Sequence, residues 1–401
     1  MNESWGIDSL LTDDLSSFAK EMIIVQKQHA ICMAYIHRGQ GTEAKGIAAS
    51  CLSKAIKVQL VDCVIDFCKI LTYYYSVISP NKGRAIVYEE MYQEYIVTRR
   101  VEEEMASIYS KFMLVINSKK SSKFEETILA RILNLMCIRR NYHIAIRGYV
   151  MLATYYRVTG DEDAVIEYCK DALSYFESSV KLSTNTPRQV FALQALPLLI
   201  KHGRHEEAFQ IILDNIPDKK THNYFKFIQF KFISLIRQQK HGEALQLYKT
   251  IGVSGSYKGF SEEWRIAGAY NTALMELSGY VFQDDFKIGR FFNQIEVFSQ
   301  DKSGHNVHLI ILEILFRYAR NEVKIHDRTS SFKAYALRHT RKGGRDRAVI
   351  NGLVKWVDRS FEYDFKQELQ TLKSTEKREV DVEIIDYEWL LSFLQEKSSR
   401  A

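Results

Sequence analysis

YVMLATYYRVTGDEDAVIEYCKDAL, residues 149–173, places apolar and small side chains where two antiparallel helices must touch. Leu152, Ala153 and Tyr156 fall at i, i+1 and i+4 on one helical face, and Val165, Ile166, Ala172 and Leu173 form the answering face beyond a turn. Gly160 marks that turn, because glycine takes a left-handed backbone without a Cβ clash. Asp161 beside it can accept from the free amides that open the second helix. Small side chains at Ala153 and Ala172 let the two helix axes approach closely. A stretch of this kind predicts stacked helix pairs, an architecture that usually offers a surface to another macromolecule.

Fainter copies lie on both sides in register. Ile31, Cys32 and Tyr35 precede Gly39, with Ala44 and Cys51 after it; Ala195, Leu196 and Leu199 precede Gly203, with Ala208 and Asn215 after it. Phe232 and Leu235 lead to Gln239, where a glycine is expected, and then to Ala244 and Leu245, while Tyr74, Ala85 and Tyr92 form the weakest copy. This pattern resembles the tetratricopeptide (TPR) repeat, in pieces over about residues 20 to 250, though its copies recur at roughly 36 to 43 residues and so exceed the strict 34-residue unit. Val165 stands where the family has alanine early in its second helix and would push the pair slightly apart. The resemblance implies an all-α chain, a right-handed α-solenoid of antiparallel helix pairs over 1–258. Over 259–401 it is expected to give way to irregular helices and a C-terminal cap containing the basic segment 317–347. The overall character is also similar to uncharacterised repeat proteins of bacteria, which supplies no activity.

Composition agrees with helices. Only four prolines interrupt 401 residues that are 46% hydrophobic, so long windows remain free of breakers. The spacing predicts helix pairs at 13–37 and 42–58, 60–78 and 82–98, 100–117 and 123–139, and 142–158 and 161–180. Further pairs are expected at 187–202 and 205–215, 221–238 and 241–250, 260–282 and 285–299, and 305–321 and 330–341, before one long helix at 345–374. Thr186–Pro187 reads as a helix start, and Pro197, inside the apolar run 190–200, should bend or restart its helix. Val380 to Ile384 is the one candidate non-helical element. After it Asp386 can cap a terminal helix striped by Trp389, Leu390, Phe393 and Leu394.

The opening MNESWGIDSLLTDD has no basic leader ahead of an apolar run, and no stretch of eighteen apolar residues occurs, so neither export nor membrane insertion is expected. Six cysteines, Cys32, Cys51, Cys63, Cys68, Cys137 and Cys169, lie scattered without paired spacing and read as reduced thiols of a cytoplasmic protein. Net charge is +6, too small over this length to mark a nucleic-acid binder by itself. The segment 317–347 is nevertheless strongly basic, and its densest part, RHTRKGGRDR from Arg338, carries Arg338, Arg341, Lys342, Arg345 and Arg347 around Gly343 and Gly344. Such a turn can lie against phosphates or an acidic partner, or it can simply be solvated, with Arg341 and Lys342 balancing a helix dipole.

Signals for chemistry are poor. His305 and His308 sit three apart with Glu313 beyond them, which brings two imidazoles together but no third metal ligand, and HExxH is absent. His202 and His205 flank Gly203 at a repeat turn. No Walker loop, GxSxG elbow or GxGxxG occurs; Gly252, Gly255 and Gly259 make a connection, and Asp284–Asp285 and Glu102 to Glu104 lie beside basic residues. Catalysis is not expected, and no cofactor or metal is implied.

The leading functional reading follows from the resemblance: a non-catalytic scaffold or adaptor whose first helices line a concave face for a peptide or helix of a protein partner. The run Tyr73–Tyr74–Tyr75 cannot point into one core, since successive helical positions diverge by about 100°, so at least one ring should reach a groove or repeat interface. Asn141, Lys226 and Asn271 are further candidates for that face. The alternative is a regulatory nucleic-acid-associated protein using the basic C-terminal segment, and a hydrolase with chemistry in the C-terminal helices comes third. Partner, pathway and oligomeric state are not fixed by the sequence.

Overall fold

The structure, a computed structural model, describes residues 17–117, 126–178, 185–217, 221–252, 258–280, 286–294, 305–375 and 385–398. All regular structure among these residues is helical. In chain order the helices are α1 (Ser17–His37), α2 (Gly41–Lys57), α3 (Val61–Tyr73), a π-helical turn (Tyr74–Ile78), α4 (Lys82–Asn117), α5 (Glu126–Ile138), α6 (Tyr142–Thr159), α7 (Glu162–Ser178) and α8 (Asn185–Lys201). There follow α9 (His205–Asn215), α10 (His222–Arg237), α11 (His241–Ile251), α12 (Lys258–Leu277), α13 (Ile288–Gln294) and α14 (His305–Ala319). A 3-10 turn (Val323–Arg328), α15 (Thr329–His339), α16 (Arg345–Asp358), α17 (Lys366–Ser374) and α18 (Tyr387–Ser398) complete the chain. No described helix is long and apolar enough to cross a membrane.

Two compact units are formed, one of Met1–His202 with Leu213–Ile216 and the other of Gly203–Ile212 with Pro217–Ala401. The division read from sequence, at 258–259, lies within the second unit. In the first unit, helices adjacent in sequence pack on each other from α1 to α4 and from α5 to α8, and α1 also touches α3. In the second, α10, α11 and α12 pack in succession, α12 meets α14, and α16 packs on α14, α15, α17 and α18. The seams are built from small and aliphatic side chains: Ala44, Ala48, Cys51, Leu52 and Ala55 of α2 are all buried, at the helical spacing that makes one continuous stripe.

One turn recurs throughout. At Gly160 the backbone is left-handed (φ 81°), the Gly160 N–H donates to the Arg157 carbonyl and the Asp161 N–H to the Tyr156 carbonyl. This double closure satisfies carbonyls that a helix end otherwise leaves bare. Asp161 Oδ1 then accepts from the Ala164 amide at 3.0 Å and opens α7. The same paired bonds and a positive φ recur at Gly39, Gln59, Gly203, Gln239, Gly279, Asn321 and Ser360, although at Gly203 only the left-handed backbone itself is described. From Gly160 to Ser360 the step between these turns stays near 36 to 43 residues, so the period read from the first 250 residues runs on well beyond them. Gln239, where glycine was expected, adopts the left-handed conformation all the same (φ 58°).

Polar rungs repeat as well. His29 Nε2 lies 3.0 Å from Asp66 Oδ2 between α1 and α3, Arg157 Nη2 donates to Gln194 Oε1 at 3.1 Å between α6 and α8, and Lys226 Nζ approaches Glu263 Oε2 at 3.5 Å between α10 and α12. Each joins residues 37 apart.

Several boundaries differ from expectation. The pair predicted to break near 98–100 is a single helix, α4, because Thr98-Arg99-Arg100 contains neither glycine nor proline and Val101 and Met105 continue the buried stripe. Conversely, the long helix expected at 345–374 is two. Ser360 and Phe361 take positive φ (53° and 70°) after α16, and the Phe361 ring is held against Trp356 and Tyr318, 5.0 and 4.4 Å away by ring centroids. Helix α8 runs through Pro197. Asp386 caps α18 as expected, accepting from the Trp389 amide at 2.8 Å, and Leu390, Phe393 and Leu394 of the predicted stripe are buried. Val380–Ile384 lies outside the described residues.

Candidate functional site

The corner between α3 and α4 collects the features a partner could use. Helix α3 does not end at Tyr73; it widens into the π-helical turn, the Ser79 N–H donating to the Tyr74 carbonyl and the Asn81 N–H to the Tyr75 carbonyl. Pro80, with no N–H to continue the ladder, stops it, and Asn81 Oδ1 accepts from the Arg84 amide at 3.1 Å to start α4. The three tyrosines diverge as helical geometry demands: Tyr75 is buried, Tyr74 half-buried, and Tyr73 58% exposed.

Tyr75 is the hub of the corner. Its ring stacks on Tyr88 (centroids 5.9 Å, 12° between planes), and the Arg84 guanidinium and the Lys45 ammonium lie 5.2 and 5.8 Å from its centroid. Arg84 Nη1 also donates to the Tyr75 hydroxyl at 2.8 Å. Burial pushes the phenol up, but the bond from Arg84 and the charges of Arg84 and Lys45 outweigh it, leaving Tyr75 below the usual tyrosine range. Around this hub Val77 (59%), Ile78, Ile86 and Val87 (54%) are exposed. The sequence reading caught the tyrosines but missed Lys45, Arg84 and these aliphatic residues; the apolar pair Val77–Ile78 directly before Ser79–Pro80 was the available signal.

The other candidates are placed as follows. Asn141 caps α6, accepting from the Ile144 amide at 3.0 Å and donating to Glu102 at 2.6 Å, where burial raises the carboxyl despite that bond. Lys226 forms the rung to Glu263, which also accepts from Gln229 at 3.0 Å. Asn271 is 1% exposed; its Oδ1 meets His241 Nδ1 at 2.9 Å and its amide donates to the His241 carbonyl at 3.2 Å. A matching pair, His205 Nδ1 and Ser234 Oγ at 2.8 Å, lies one repeat earlier. All three candidates therefore join helices of their own unit.

The basic turn divides in two. Arg345 is 6% exposed, donates to the Leu372 carbonyl and pairs with Glu388 at 3.1 Å. Arg347 caps the end of α15 by donating to the carbonyls of Ala336, Leu337 and Thr340. Arg338, Arg341 and Lys342 are exposed. Further along the segment Arg317 and Arg328 both bind the buried Glu313, Arg320 binds Glu276 at 2.8 Å, and Lys333 binds Asp358 at 2.7 Å.

His308 and Glu313 do not converge. The His308 ring, 1% exposed, meets the Tyr270 hydroxyl at 2.9 Å through Nδ1, whereas Glu313 is engaged by arginines; nothing is described of the His305 side chain. His202 Nε2 lies 2.8 Å from Glu162. Among the described residues no group of three His, Cys, Asp or Glu side chains is placed to hold a metal ion. Comparison with protein-family models gives no match, and neither curated proteins nor solved structures give a significant one.

Proposed function

We propose that the chain is a non-catalytic interaction scaffold built as a right-handed, TPR-like solenoid of helix pairs, with first helices lining a concave face for a peptide or helix of a protein partner. The recurring left-handed turn is the observation that carries this reading. A unit repeated through Gly160, Gly203, Gln239, Gly279, Asn321 and Ser360 buries its apolar face only against its neighbours, and such stacking leaves a long surface for docking. The 37-residue rungs between alternate helices support the same register. Of the tyrosine run, Tyr73 and Tyr74 remain within a partner's reach. The alternative, binding of nucleic acid through the basic segment, is left with Arg338, Arg341 and Lys342, since Arg345 and Arg347 hold helices together.

Affinity capture from the native host, read by mass spectrometry at low and high salt, tests the proposal. A protein retained at high salt is the expected result. Recovery of nucleic acid alone, released by salt and by Arg338→Ala with Arg341→Ala and Lys342→Ala, would reverse it.

A further inference from the structure

We propose that the corner centred on Tyr75 docks an acidic amphipathic helix of a partner protein. Two independent observations converge on that occupant. The first is apolar: Tyr73, Val77, Ile78, Ile86 and Val87 are exposed within one short stretch, flanking a turn, whereas scattered single apolar side chains are what an ordinary surface shows. Ile78 is anchored from below, lying over Gly41 so closely that a Cβ there would meet its Cδ1 at 2.8 Å, so the patch rests on α2 and does not swing free.

Charge is the second observation. Lys45, Lys82 and Arg84 ring the corner, and none has a carboxylate within ion-pair distance among the described residues, although ion pairs are common elsewhere in this unit, such as Lys57–Glu21 and Arg131–Glu104. Lys45 and Arg84 lie on tyrosine faces, which holds them in place. Unanswered cations beside apolar side chains complement carboxylates beside apolar side chains, the pattern of an amphipathic acidic helix. A second copy meeting the same patch across a two-fold axis would bring these cations towards their own counterparts, at an electrostatic cost. An anionic membrane plane would meet the exposed Glu43, Glu89 and Glu90 as well, which a narrow helix can avoid.

The inference rests on the scaffold reading only in requiring a protein partner. Its test is fluorescence anisotropy of the full chain with a labelled helical peptide bearing leucines on one face and glutamates on the other, against the same peptide with lysines for glutamates. The glutamate peptide should bind about tenfold or more tightly than its counterpart. Val87→Glu and Ile78→Glu should each abolish that binding, and Lys82→Glu should erase the preference, with helical circular dichroism unchanged in each. Equal affinity for the two peptides, or binding indifferent to Val87→Glu, overturns the proposal. So does sedimentation showing a dimer that Val87→Glu dissolves, or co-sedimentation with phosphatidylserine vesicles in place of peptide binding. If native capture of a protein survives Val87→Glu while the peptide fails to bind, the corner is refuted and the scaffold reading stands.

Discussion

The Phe232–Tyr248–Trp264 stack and the Tyr74–Tyr75–Tyr88 corner are built from the same kinds of residue and end in opposite states. In the first, Trp264 lies 4.8 Å from Phe232 and 5.3 Å from Tyr248 by centroids, with Phe232 and Trp264 fully buried. Tyr248 is pressed so close to Gly268 that a Cβ there would stand 2.4 Å from its Cε2, so α11 and α12 meet where only glycine fits. In the second, one ring is buried and its neighbours look outward, backed by cations in place of a helix. A high aromatic content thus reports two roles, filling seams between helix pairs and furnishing a surface, and the difference lies in what packs behind the rings.

The contrast can be broken most forcefully at Trp264. Trp264→Ala should destabilise the second unit by about 3–5 kcal/mol through lost burial and a cavity, whereas Val87→Glu at the corner should stay within about 0.5 kcal/mol. Urea unfolding followed by circular dichroism compares them, and a corner substitution as costly as the tryptophan would erase the distinction. Next in size is Asn271→Ala, which strips His241 of its partner inside α11 and α12 and should cost about 1–3 kcal/mol.

A pH effect sharpens the same comparison. Burial depresses His205 and His241, with neighbouring Arg237 adding to it at His205, while the Asn271 bond partly opposes it at His241. A depressed folded value means the unfolded chain binds the proton first. These two groups therefore favour the fold fully above about pH 6.5, and their contribution is lost as pH falls through their lowered folded values. The melting temperature of wild type should drop from pH 7 to pH 5, and the double variant His205→Asn with His241→Asn should show a shallower slope. His143, depressed by burial and then by Arg147, leaves a residual slope in that variant. The smallest effects belong to the turns: Gln239→Gly should stabilise by about 0.5–1 kcal/mol and Gly160→Ala should destabilise by about 1 kcal/mol, since the same left-handed backbone suits one residue and strains the other.

Local chemistry was legible in the sequence wherever a residue's own backbone preference decides the outcome. Gly160 and Asp161 announced their turn and cap, and Asp386 its helix. What escaped is set by tertiary contacts. Ser360 and Phe361 turn the chain without glycine because Trp356 and Tyr318 receive the phenylalanine ring, and α4 stays unbroken because its neighbours keep covering it. For the same reason the basic segment misleads when read as a charge total: Arg345 and Arg347 are absorbed by carbonyls at helix ends that no local pattern reveals. The corner was half legible, its tyrosines by their run and its cations only once the rings beneath them were placed.

All six thiols fall in the first unit. Cys137 is exposed, while Cys32, Cys51, Cys63, Cys68 and Cys169 are buried, and burial pushes Cys32, Cys63 and Cys68 up to about 11 and Cys169 to about 12. An alkylating reagent therefore finds one reactive sulfur in the native chain and can reach the others only as their helices come apart. Those five sulfurs are natural timers: pulse labelling followed by peptide mass mapping would give the order in which α2, α3 and α7 open, with the second unit silent throughout.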